Sequence, residues 1–432
     1  MTIKNIAKLL VLLLFITACS KDDTDNDNAE KGAYPIIFVH GFLASGDTYH
    51  LQIQRFASNG YSLDRLYTFD WNTLGSTNTE SLLNNFIDKV LEETGAEYVD
   101  LVGHSAGSGL VYNYCKKKSQ ADKIAHLVLL AGFAQSKPGG VNGEIPTLNV
   151  FSTADEVASN GGNIPKAINL KLTDKDHYEV ATCTATFEAL YKLFNNEKDP
   201  STTTILPEDR IMIAGKALSF GENLYVKNTT VSIYEVSKED GLRTSDTPIA
   251  TFDIAKEGFW GPVQVEKNTY YEFLVAAEAA GSRPVHYYFE PFVRSSNAVY
   301  LRSFPAAGTL GATFLSSLPK NDRQAVTAFF GASKAAILGR DNLSVNDISL
   351  STPQLTEAAN TTIALFSYDA NNNEMSDVGS VGLFTSFPFL KATDIFYSTS
   401  LPEKITYTFN DRIIHLRNWK SASEGVSVAV FQ

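Results

Sequence analysis

Apolar residues in the first two hundred positions fall into two alternating textures. Short apolar-rich runs at 35–39, 65–69, 98–102, 124–131, 147–151 and 167–172 have the length of buried strands. Between several of them stand longer stretches with helical spacing. The clearest is 81–94, where positions 82, 83, 86, 87, 90 and 91 share one helix face and Gly95 follows as a C-cap. Residues 48–57, closed by Asn59-Gly60, and 187–194 read the same way. Strands alternating with helices of this length predict an α/β unit over 34–199, built on a doubly wound, mostly parallel sheet.

After Lys198-Asp199-Pro200 the texture changes. Thr230-Val231-Ser232-Ile233-Tyr234-Glu235-Val236 and 271–275 are runs of the kind expected for half-buried antiparallel strands. Similar runs at 362–366 and 404–409 carry the pattern to the end. The expectation is an all-β C-terminal part of sandwich or barrel type, divided into 200–295 and 296–432. The latter is either a second β-rich domain or a continuation of the first.

The chain opens differently. Lys4 and Lys8 flank the start of an apolar stretch, 9–16, too short to span a bilayer, so 1–18 reads as a signal peptide. It ends in Ile16-Thr17-Ala18-Cys19, which resembles the bacterial lipobox and implies cleavage before Cys19 and lipid on its sulfur. Ser20-Lys21-Asp22-Asp23 resembles an export signal that sends some Gram-negative lipoproteins to the outer face of the outer membrane. Residues 19–33, rich in Asp and Asn, read as an acidic, solvated tether. The implied partner is a membrane, reached through lipid on Cys19.

A formal charge of −12 argues against nucleic acid as a partner. Beyond Cys19 only Cys115 and Cys183 remain, a spacing that fits no metal site. They are either one disulfide or two free thiols. No phosphate-binding glycine loop, H-E-x-x-H or EF-hand pattern occurs, and the reading calls for no cofactor and no metal.

Candidate chemistry centres on Gly103-His104-Ser105-Ala106-Gly107. It matches G-x-S-x-G, with an apolar run before it and a helix start after it, the strand–turn–helix setting of a nucleophile elbow. A serine hydroxyl needs an imidazole to take its proton, and that imidazole needs a carboxylate to fix its tautomer. In chain order after Ser105 the base is His177, in the loop after the last strand of the unit. His126 starts a strand at the opposite end of the sheet. The acid is Asp155, directly after a strand, whereas Asp174 and Asp176 suit turns or N-caps. His40-Gly41-Phe42-Leu43 follows the first strand; it makes Phe42 N–H one oxyanion donor, with Ala106 N–H the other, and leaves His40 a structural imidazole.

On these residues, with 124–132, 145–155 and the His177 loop, the sequence resembles the bacterial lipases and esterases of the α/β-hydrolase superfamily. It looks closest to two-domain lipases in which a C-terminal β domain helps bind lipid, a likeness that continues through 205–218 and 283–294. The resemblance implies a carboxylic-ester hydrolase acting on lipid or other apolar esters. Alternatives are a polyester or carbohydrate-ester hydrolase, or a surface lipid- or glycan-binding lipoprotein with a vestigial hydrolase domain. This chain departs from those lipases twice. Where they place the acid, it has Ala131, and where they insert a lid only 70–80 intervenes. An acyl chain then needs a wall from the β region, for which Phe259-Trp260 and His286-Tyr287-Tyr288-Phe289 are the candidates.

Overall fold

The computed structural model describes residues 34–75, 78–158, 160–278, 281–382, 384 and 388–432. The signal peptide, Cys19 and the tether lie outside these residues.

Six strands, β1 (Ile36–Val39), β2 (Leu66–Phe69), β3 (Val99–His104), β4 (Ile124–Leu130), β5 (Thr147–Ser152) and β6 (Ile168–Leu172), form one sheet in the order β2-β1-β3-β4-β5-β6. Every neighbouring pair is parallel. Helices α1 (His50–Ser58), α2 (Thr79–Thr94), α3 (Ala106–Tyr114), α4 (Lys118–Ala121), α5 (Glu179–Thr182) and α6 (Thr184–Phe194) complete this unit. Alternate strand residues explain why both faces need helices. Ile36 and Phe38 pack with Ile53 and Phe187 from α1 and α6, while Ile37 and Val39 pack with Leu83, Ile87 and Val111 from α2 and α3. A strand buried on both faces carries apolar residues almost without interruption, which is the run seen in the sequence. Gly95 ends α2 in the left-handed conformation at φ 64°.

The C-terminal part is three β layers. The central sheet has eight strands, in spatial order Leu390–Asp394, Ala364–Tyr368, Val326–Gly331, Val426–Phe431, Val285–Phe289, Tyr270–Ala277, Thr229–Val236 and Ala250–Asp253. A three-stranded sheet (Phe259–Val265, Ile211–Ser219, Ser296–Ser303) covers one face. A four-stranded sheet (Ile348–Ser349, Leu343–Val345, Lys404–Phe409, Arg412–Arg417) covers the other. The runs at 230–236, 271–275 and 404–409 pair antiparallel with their neighbours, as expected, but the centre of the large sheet differs. The last strand, Val426–Phe431, runs parallel to both its neighbours, and Val285–Phe289 is buried at every position. Sandwiching covers both faces at the centre of the sheet, whereas Thr229–Val236 and Ala250–Asp253, at its edge, keep solvated positions. The last strand also sits between one strand from 200–295 and one from 296–432, so the two segments share a core.

Candidate active site

The strand order fixes where loops meet. From β1 the chain moves to β2 on one side and to β3 on the other, so the sheet changes direction between β1 and β3. Loops leaving the carboxyl ends at such a point splay apart and leave a crevice. Here those loops are residues 40–47, after β1, and the turn holding Ser105, after β3.

Ser105 stands at φ 54°, ψ −119°, a conformation unusual for a residue with a Cβ. Its N–H is tied to Leu130 O at 2.8 Å. Close packing requires the glycines around it: a Cβ on Gly107 would lie 2.3 Å from Val39 O, and one on Gly41 2.9 Å from Ser105 Cβ. The second contact puts the residue before Phe42 directly against Ser105. Ala106 opens α3, so its N–H has no acceptor within the helix. The two expected oxyanion donors therefore flank the serine, which is half-buried.

Asp155 and His177 meet. His177 Nδ1 lies 2.8 Å from Asp155 Oδ2, and both side chains are buried. The other oxygen, Oδ1, accepts from the N–H groups of Val157 (2.9 Å) and Ala158 (2.8 Å). Burial alone would raise the Asp155 pKa, but the hydrogen bond from His177 and those two N–H groups outweigh it and hold it below the usual value. An ionised carboxylate only accepts, so Nδ1 carries a proton, and in the neutral ring the lone pair lies on Nε2. That Nε2 is buried with no hydrogen-bond partner among the described residues. Such an atom costs about 1–3 kcal/mol, a reason to look for function in it.

The other candidates separate. Asp174 is exposed and pairs with Lys175, and Glu156 is exposed. Asp176 is buried, its Oδ1 accepting from Tyr178 and Glu179 N–H at 2.8 Å each. His126 pairs with Asp100 at 2.7 Å, at the far end of β3 and β4. His40 is locked: Nδ1 donates to Gly41 O at 2.8 Å and Nε2 accepts from Trp71 N–H at 3.1 Å. Burial lowers its pKa and keeps it neutral. Cys115 and Cys183 are both free thiols.

Two kinds of functional neighbour left little trace in the sequence. His104, the variable residue of the motif, donates from Nε2 to His177 O at 2.9 Å, its ring 4.9 Å from that of His177. Burial and nearby His177 push its pKa down to about 3, so it holds the His177 backbone as a neutral ring. The C-terminal part supplies the rest. Asn223 Nδ2 donates to Ala44 O at 2.7 Å, Arg302 pairs with Asp47 at 2.8 Å, and Lys216 and Tyr300 meet Asp70, which itself accepts from Gly46 N–H. Three β-region elements thus hold the loop that contains Phe42. No sequence motif announces such pairs.

Beside Phe42 a cavity of about 100 Å³ opens between the two parts of the chain. Tyr178, next to His177, lines it, as do Phe220, Phe329, Phe330, Phe366 and Phe389. Phe389 also stacks on the His177 ring, centroids 5.9 Å apart and planes at 19°. The expected wall is therefore corrected. Of the aromatics proposed from sequence only Tyr287 reaches the cavity. Trp260, Tyr288 and Phe289 fill β-layer cores, His286 joins a buried ion cluster and Phe259 is exposed. The short 70–80 loop does not leave the site bare, because the β region covers it.

Known proteins match both halves. Residues 33–129 match the lipase (class 2) family, and residues 209–305 match the lipase C-terminal domain. These two matches support a lipase or esterase with a C-terminal domain. Solved structures resemble part of the chain. An alpha/beta hydrolase from the metagenome of lagoon sediments at Mar Chica, Morocco, is 14% identical over 38% of this chain and 90% of its own, with a TM-score of 0.29. Aspergillus fumigatus lipase B is 14% identical over 40% and 55%, with a TM-score of 0.30. A soluble variant of the Saccharomyces cerevisiae monoglyceride lipase is 9% identical over 39% and 88%, with a TM-score of 0.28. Among the described residues no three His, Cys, Asp or Glu side chains are grouped to hold a metal ion.

Proposed function

We propose that this chain hydrolyses apolar carboxylic esters through an acyl-enzyme, with Ser105 as nucleophile. His177 takes the serine proton on Nε2 and returns it to the leaving alcohol. Asp155 fixes the tautomer and stabilises the imidazolium. The N–H groups of Phe42 and Ala106 donate hydrogen bonds to the carbonyl oxygen as charge develops on it. The observation that carries this reading is the buried, unpartnered Nε2 of a histidine bonded to Asp155 beside the elbow. A fluorophosphonate probe should label the wild type and spare Ser105→Ala; a wild type that stays unlabelled while folded would sink the proposal.

The cavity supports an aliphatic acyl group over a carbohydrate ester, since its wall is largely aromatic and aliphatic. Each CH₂ seated there is worth roughly 0.8 kcal/mol. Filling it with Ala364→Trp should move the preference of p-nitrophenyl esters towards acetate and butyrate. An unchanged chain-length profile would remove the acyl chain from this cavity.

The lipobox-like Cys19 supports export and membrane attachment, since stable anchoring takes two or more lipid chains and a lipobox provides for them. Cys19→Ser should release soluble protein or block maturation. Normal processing and retention in that variant would make the match a coincidence.

A further inference from the structure

The segment after the strand Val326–Gly331 docks on the loop that carries His177. Tyr178 Oη donates to Ala332 O at 3.1 Å and Thr182 Oγ1 to Ser333 O at 2.5 Å. Arg340 then forks across the junction. Its Nη2 lies 2.9 Å from Asp176 Oδ2 and its Nη1 2.5 Å from Glu179 Oε2. Behind the fork Nε donates to Asp341 Oδ2 at 2.7 Å, and Nη2 also donates to Ala335 O at 2.7 Å. Asp341 is itself buried and held by Lys334 and Asn410. The guanidinium is thus fixed on its own segment and presented to the other.

What it grips is the frame around the base. Asp176 precedes His177, and its remaining oxygen accepts from the N–H groups of Tyr178 and Glu179. Asp176 N–H in turn donates to Glu179 Oε2 at 3.3 Å. Two carboxylates therefore sit within one turn of each other and share one cation. Burial and the Asp176 charge raise Glu179 to a pKa of about 7, and Arg340 opposes that rise. Without the guanidinium the two must repel, and the turn relieves the repulsion by taking up a proton or by opening. Opening moves the backbone of His177 directly, and a proton on Glu179 weakens its hold on the N–H of Asp176, the residue before His177.

We infer that Arg340 is a positioning residue for His177, acting through Asp176 and Glu179 to hold the turn that aims Nε2. The inference rests on His177 being the base. It makes residues beyond both matched families, after 305, a working part of the catalytic site.

The test pairs turnover with a signal that needs none. In water, each buried histidine–carboxylate hydrogen bond gives a far-downfield proton, and His177→Gln identifies the one at Asp155. In Arg340→Ala that resonance should shift or broaden, while those of His126 with Asp100 and His286 with Glu272 stay. For a short-chain ester kcat should fall by about 10–100-fold, the scale of a misplacement near 1 Å, with KM within about threefold. Should Arg340→Ala fail to fold, Arg340→Gln serves, because it keeps a side-chain donor and loses the charge. It should give the same two changes, and adding Asp176→Asn to either variant, which removes the repulsion between the two carboxylates, should restore part of kcat. A folded variant with unaltered resonance and kcat overturns the inference. A wild type inert towards esters and fluorophosphonate overturns the hydrolase reading instead, and the resonance still reports on Arg340.

Discussion

Each half of the chain buries a histidine against a carboxylate. In the hydrolase half His177 Nδ1 meets Asp155 at 2.8 Å; in the β half His286 Nδ1 meets Glu272 at 2.6 Å. Both pairs are shielded from water. They differ at the far nitrogen. His286 Nε2 faces Glu424 O at 2.8 Å, the ring lies on Trp419 with centroids 4.2 Å apart, and Arg243 takes both Glu272 oxygens at 2.9 and 2.6 Å. Among the described residues His177 Nε2 has no such partner. One cluster satisfies every group and is glue between strands. The other withholds a single hydrogen bond, on a ring that lies against His104 of the elbow and under Phe389 of the cavity wall.

Removing the imidazole separates the two roles most widely. Ser105→Ala and His177→Ala should each lower kcat by about 10⁴-fold or more, because the groups act as a unit. His286→Ala, where folded, should stay within several-fold of wild type. Ester-hydrolysis kinetics decide it: a tenth of wild-type activity in either of the first two would erase the distinction.

Changing the carboxylates should split activity from stability. Asp155→Asn should cost about 10³–10⁴-fold in kcat, through the wrong tautomer, with a modest change in the urea midpoint. Glu272→Gln leaves Arg243 and His286 facing a neutral group and should cost roughly 3–5 kcal/mol of stability, the scale for breaking a buried pair. If Asp155→Asn keeps its activity, the acid lies elsewhere.

The smallest expected effect is in the acid arm of stability. Burial would raise the pKa of Glu272, yet its bonds to Arg243 and His286 depress it from 4.5 to about 2. A depressed folded-state pKa adds stability at pH above the unfolded value, lost as pH falls through the folded one. Melting temperature should therefore drop as pH falls from about 4.5 towards about 2, and Glu272→Gln should flatten that slope. Asp155, also held below its usual value, should contribute in the same direction. An equally steep slope in Glu272→Gln would assign the acid arm to other carboxylates.

Asp174 and Asp176 show where reading from sequence stops. Two residues apart in one polar loop, they look equivalent as turn formers. In the fold one is exposed beside Lys175, and the other is buried under Arg340, which lies 164 residues further on. Phe389 against His177 and Asn223 against Ala44 are of the same kind. Nothing within a turn or strand of either partner encodes the meeting, so periodicity and motif spacing pass over it.

Local pattern did determine a great deal. Strand and helix order in the hydrolase part follows from apolar spacing, because backbone periods of two and 3.6 residues act over a few positions. The nucleophile turn follows from glycines that leave room for crossing backbones at 41 and 107. The chain order of Ser105, Asp155 and His177 was legible because each follows the end of its own strand, and parallel strands bring such ends to one edge. Tertiary structure alone decided that the final strand would lie parallel within a sandwiched sheet. It decided which aromatics would wall the cavity, and that a guanidinium from the last hundred residues would grip the loop of the base. Those outcomes depend on which surfaces of two folded units exclude water from each other, a property of assembled faces that no single stretch of chain contains.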